Sequence, residues 1–142
     1  MTLAGQKDER GSVTLWVLGL AVMMLFIGGI SLDLWRAFAE RRSLAGMVDA
    51  AAVAGASGID TAYFRQTSQL RLEPALAEQL ANESLRSQPD TRSLIAAQVS
   101  ATPSDVSVGA VGEVEFTLLR VFMSDEPFTV RVGATARPRR SA

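Results

Sequence analysis

The sequence predicts an α+β protein. A long N-terminal helix, transmembrane in its first half and amphipathic in its second, precedes a second short helix and a small antiparallel sheet of three or four strands. Three observations predict this. Between Arg10 and Asp33 lie 22 residues, GSVTLWVLGLAVMMLFIGGISL, without an ionisable side chain. From Asp33 to Ala56 no proline interrupts a run of apolar and small residues at helical spacing. Towards the C-terminus that spacing gives way to alternation of period two.

The apolar run sets the first element. A helix of that length rises roughly 33 Å, against roughly 30 Å of bilayer hydrocarbon. A core helix of a small soluble domain keeps a polar face. This run keeps only Ser12, Thr14 and Ser31, all near its ends. It also exceeds the roughly 7–15 apolar residues of a secretory signal. Ala37-Phe38-Ala39 has the small-x-small form of a cleavage site, but Asp33 and Arg36 stand between it and the run. The expected first partner is therefore membrane lipid. Lys7 and Arg10 on one flank face Arg36, Arg41 and Arg42 on the other. That count leans weakly towards a cytoplasmic C-terminal side.

The helix is expected to continue to about Ala56, as one rod from Ser12 of roughly 65 Å. Leu34, Phe38, Arg41, Ala45, Val48, Ala52 and Gly55 share one face at steps of three and four. Asp33, Arg36, Glu40 and Ser43 share another, where exposed pairs contribute a few tenths of a kcal/mol each. Small residues crowd Ala50–Ala56, so a neighbouring element can approach closely. That neighbour is either the chain's own domain or a second subunit. Gly28-Gly29 permits a bend or a close helix contact. The candidate helix-packing residues are thus Gly28, Gly29, Ala45, Val48, Ala52 and Gly55. Gly58 is a candidate C-terminal cap.

Residues 59–72 read as a polar connection holding Tyr63 and Phe64. Pro74 suits the first position of the next helix, with Glu73 beside its positive end. Leu76, Leu80 and Leu85, flanked by Ala77, Ala81 and Ser84, form its apolar stripe, and it ends before Pro89. Strands are expected at Ile95–Ala101, Val106–Ala110, Glu113–Met123 and Phe128–Ala136, with a turn at Ser124–Pro127. The segments are 1–11 as an N-tail, 12–32 as the transmembrane helix, 33–58 as its continuation and 59–142 as a small α+β domain.

Composition excludes several function classes. Net charge is −1, from 14 basic and 15 acidic residues, so no broad basic face offers itself to nucleic acid. With no Cys there are no disulfides or thiolates, and with no His the commonest general base and metal ligand are missing. No phosphate-binding loop, nucleophile elbow or dinucleotide fingerprint occurs. Glu113 and Glu115 would share a strand face, but two carboxylates without further oxygen donors make a poor cation site. The expectation is no enzyme, no catalytic residue, no cofactor, no metal and no small-molecule substrate.

The segment from Asp8 to Ala56 resembles the N-terminal region of the TadE/TadG-like proteins of tight-adherence (Flp) pilus systems. The residues that carry the likeness are Gly11 opening the apolar helix, Asp33 at its far end, and Asp49-Ala50-Ala51-Ala52 in the continuing helix. The C-terminal TVRVGATARP resembles the closing strand of that family. The resemblance implies a pseudopilin-like accessory subunit of a bacterial pilus assembly or secretion system, with other pilus-assembly or pilin-like subunits as partners. It also implies an N-terminus inside and a C-terminal domain outside, in place of the charge count. Processed members have a glycine before the cut and a glutamate five residues into the mature chain. A cut between Gly11 and Ser12 would put Trp16 there, so an uncut anchor is expected. A membrane-tethered sensor or ligand-binding module is the alternative.

Overall fold

A computed structural model describes residues 9–89, 93–117, 119 and 128–139. The element order is helix α1 (Glu9–Ala56), helix α2 (Thr61–Thr67), helix α3 (Pro74–Arg86), then strands β1 (Leu94–Ala101), β2 (Val106–Val114) and β3 (Phe128–Ala136). The chain divides into two units. One is Met1–Arg36 with Phe116–Glu126, and the other is Ala37–Glu115 with Pro127–Ala142. Helix α1 contributes to both.

In the second unit the strands form one antiparallel sheet in the order β1-β2-β3. Nine consecutive pairs, from Val106↔Ala136 to Val114↔Phe128, join β2 to β3. Strand β1 pairs with β2 from Ala101↔Val106, with an irregularity between Leu94 and Ala96. The β1–β2 turn is closed by Thr102, whose hydroxyl donates to Asp105 Oδ1 at 2.6 Å and whose N–H donates to the Asp105 carbonyl at 2.8 Å. The period-two pattern decides which face is covered: Val106, Val108, Ala110, Gly112 and Val114 all point inward. Of these, Val106, Val108 and Ala110 meet Val48, Ala51 and Ala52 of α1, Leu72, and Ala77, Ala81 and Leu85 of α3 in one core.

The expected elements are present, with five differences. The buried face of α1 here is Leu44, Met47, Val48, Ala51, Ala52 and Gly55, whereas Phe38 and Arg41 are exposed. Val48, Ala52 and Gly55 of the expected row lie on that face with Ala45 half-buried, while its upper members do not, because the buried apolar packing of this unit begins at Leu44. In α3 Ala77 and Ala81 lie deepest and Leu76 and Leu80 are half-buried. The close approach of Gly55 leaves room there only for methyl groups: a Cβ on Gly55 would lie 3.0 Å from the Ala77 carbonyl oxygen and 3.2 Å from Ala81 Cβ.

The connection at 59–72 contains a helix. Asp60 caps α2 by accepting from the Tyr63 N–H at 2.9 Å, and Ser68 closes it in the left-handed region at φ 56°. Gly58 is no left-handed cap, since no described glycine has positive φ. It is needed instead for space, because a Cβ there would lie 2.9 Å from both N and Cα of Ala77. Finally, Val106–Ala110 and Glu113 belong to a single strand running through Gly112, where a side chain would strike Leu44. That strand stops at Val114, so Glu115 has no place on it. The expected end of the strand at Met123 and the turn at 124–127 lie outside the described residues.

Candidate functional site: a carboxylate clamp on the apolar helix

Large apolar residues cover the first unit's helix. Trp16 is 78% exposed and Leu25 is 74% exposed. The helix is long and apolar enough to cross a membrane, and none of its apolar window is buried in the protein. A soluble core helix would show the opposite. Water does not favour such a surface, and lipid does.

At the end of that stretch Asp33 is 1% exposed, the one buried polar or charged residue among those described. Its carboxylate accepts the Thr117 N–H on both oxygens, at 3.2 Å on Oδ1 and 3.1 Å on Oδ2. The Leu119 N–H donates to Oδ2 at 3.0 Å. One helical turn on, Arg36 Nη1 donates to Thr117 Oγ1 at 3.1 Å. Helical spacing places residues 33 and 36 on adjacent positions of one face, so both reach the same short stretch of chain. Bonds from amides to an ionised carboxylate are about twice as strong as neutral ones. No described buried side-chain nitrogen or oxygen lacks a partner.

Past Val114, the backbone donors of Thr117 and Leu119 go to a side chain of α1 instead of to a neighbouring strand. The face expected to carry exposed charge pairs carries tertiary contacts. Besides Asp33 and Arg36, Glu40 accepts a hydrogen bond from the Ser93 hydroxyl. Chemically Asp33 acts as a structural acceptor, with both oxygens engaged by the backbone amides of Thr117 and Leu119. Among the described residues no three His, Cys, Asp or Glu side chains come together as a metal site.

The sequence-derived candidates fall in separate places. Gly11 and Ser12 lie within α1, and Ser12 is exposed. Gly28 is exposed with open space where a side chain would be, and Gly29 is half-buried. Val48, Ala52 and Gly55 are buried in the second unit's own core, with Ala45 half-buried beside them. Of the two neighbours weighed for the small-residue run, its own domain takes that face. Sequence reasoning missed the clamp partners, because backbone amides leave no side-chain signature. The signal available was Asp33 itself, a carboxylate set between Leu32 and the apolar pair Leu34-Trp35.

Residues 11–58 match the family model described as putative Flp pilus-assembly TadE/G-like. The matched TadE/G-like segment begins at Gly11 and ends at Gly58. It contains the exposed apolar helix, Asp33 and the whole packing face of α1. No match is found among curated proteins, and none among solved structures. The TadE/G-like match and the exposed helix together fit a membrane-anchored, pilus-related protein.

Proposed function

We propose that this chain is a single-pass, pilin-like accessory subunit of a bacterial Tad/Flp pilus assembly or secretion system. It acts by helix packing and protein–protein contact, not by catalysis. The supporting observation is that the family match coincides with α1, whose apolar half has no buried residue in its apolar window and whose other half is packed on a small domain. In this reading residues 1–11 are a cytoplasmic tail and 12–32 cross the cytoplasmic membrane. Residues 33–58 continue the helix outside, and 59–142 complete the extracytoplasmic domain. The exposed apolar surface of this helix is available for lateral contact with other pilus subunits, with exposed Gly28 at the closest approach and Gly29 beside it.

Deleting the gene is expected to abolish surface pili while the other pilus subunits still accumulate in the membrane fraction. Normal pili on the deletion strain would refute the assembly role. The anchor is expected to remain uncut, since Trp16 stands where a processed chain would carry glutamate. N-terminal sequencing of membrane-extracted protein checks this, and a chain beginning at Ser12 would show cleavage after Gly11.

A further inference from the structure

The depth of the clamp in a bilayer follows from the helix that carries it. Trp16 and Trp35 are 78% and 67% exposed and stand 19 residues apart on α1. That separation is a rise of roughly 29 Å, close to the roughly 30 Å of hydrocarbon between the two interfaces that tryptophan favours. Leu32 and Leu34, on either side of Asp33, are 50% and 46% exposed. Asp33 therefore lies just inside one interface, about 3 Å of helix rise short of Trp35.

Whatever bonds to Asp33 shares that depth. The Thr117 and Leu119 amides lie 3.0–3.2 Å from its carboxylate oxygens. Non-helical backbone at such a depth must have its N–H groups satisfied within the protein. The Asp33 carboxylate supplies those acceptors. On either side of Thr117, Phe116 and Leu119 are half-buried and keep apolar surface uncovered. Arg36, exposed and bonded to the Thr117 hydroxyl, stands at headgroup level, where a guanidinium is well solvated.

We propose that Phe116, Thr117 and Leu119 form a second membrane contact, pinned to α1 by Asp33 so that Phe116 and Leu119 meet lipid at the bilayer surface. The occupant of this apolar surface is the same bilayer that receives α1, because Asp33, which holds this stretch, is flanked on α1 by the exposed Leu32, Leu34 and Trp35. The inference rests on the membrane-span reading and extends it. The first unit then meets the bilayer through two parts of the chain, the span and the stretch pinned to its end.

The chain has no cysteine, so full-length single-cysteine variants can carry an environment-sensitive fluorophore. L119C and F116C test the contact, L25C reports on the span, and R65C on α2 serves as the exposed reference. In phosphatidylcholine vesicles containing a shallow nitroxide lipid, the labels at 116 and 119 are expected to be quenched at least threefold more than the label at 65. They should also resist aqueous iodide. Adding Asp33→Ala is expected to halve the lipid quenching at 119, and unchanged quenching would remove Asp33 from its pinning role. If the labels at 116 and 119 behave like that at 65 while the label at 25 is protected, the second contact is overturned and the span stands. If the label at 25 is itself open to iodide, the span reading falls and the second contact with it.

Discussion

Replacing Asp33 by alanine is expected to release the chain at Thr117 and Leu119 from α1, at a cost of about 2–4 kcal/mol. The figure follows from the groups left behind. Two backbone N–H donors lose a charged acceptor, and a buried donor without a partner costs about 1–3 kcal/mol. The site is only partly buried at Thr117, so the lower part of the summed range applies. Asparagine keeps one acceptor oxygen but loses the charge, so Asp33→Asn is expected to retain about half the effect. Arg36→Ala removes one exposed bond to a hydroxyl and is expected to cost under about 1 kcal/mol. Amide hydrogen exchange of the protein in lipid nanodiscs measures this directly. A loss of about 2 kcal/mol corresponds to roughly thirtyfold faster exchange at residues 117 and 119. The order expected is wild type slowest, then R36A, D33N and D33A. Equal exchange in all four would mean that the carboxylate does not hold this segment.

The clamp marks the boundary between what the sequence discloses and what it does not. Helix α1 is legible from end to end, because lipid exposure and helical packing both write themselves into side-chain hydrophobicity. The start of α3 is legible through Pro74, and β3 through the alternation of Val130 and Val132 with Thr129 and Arg131. The end of β2 is not legible, since Val114, Phe116 and Leu118 continue the alternation after the strand has stopped. Beyond it the amides of Thr117 and Leu119 go to Asp33, more than eighty residues earlier. Local pattern carries no information about an acceptor so far away in sequence. The upper part of the expected row on α1 fails for a related reason. Hydrophobicity adds Leu34 and Phe38 to a row whose packed members are Val48, Ala52 and Gly55, and close packing with α3 selects the smallest residues.

That preference for small residues makes Gly55 and Gly58, which meet α3, separable by function from Gly28. Gly55→Ala and Gly58→Ala are expected to destabilise the folded domain, by about 1–3 kcal/mol each. On helix propensity alone, alanine would stabilise position 55 by about 1 kcal/mol. Sterics decide the sign. At Gly55 the added methyl would lie 2.9 Å from Val106 Cγ1 and 3.0 Å from the Ala77 carbonyl oxygen. At Gly58 it would lie 2.9 Å from backbone atoms of Ala77, which move only if the start of α3 moves. Gly58 shows the loss more fully, since backbone yields less than the Val106 side chain. Gly28 is the contrast. Nothing lies within 4 Å of a Cβ built there, so Gly28→Leu is expected to leave the unfolding temperature of the domain unchanged. If Gly28 is where another pilus subunit approaches, the same variant should accumulate in the membrane at wild-type level and still fail to support surface pili. Thermal unfolding of detergent-extracted protein and counts of surface pili, taken together on G55A, G58A and G28L, separate the two roles. A Gly28→Leu strain with normal pili would leave the lateral contact to another part of the helix. An unchanged unfolding temperature for G58A would show that α3 does not pack on Gly58 as closely as 2.9 Å requires.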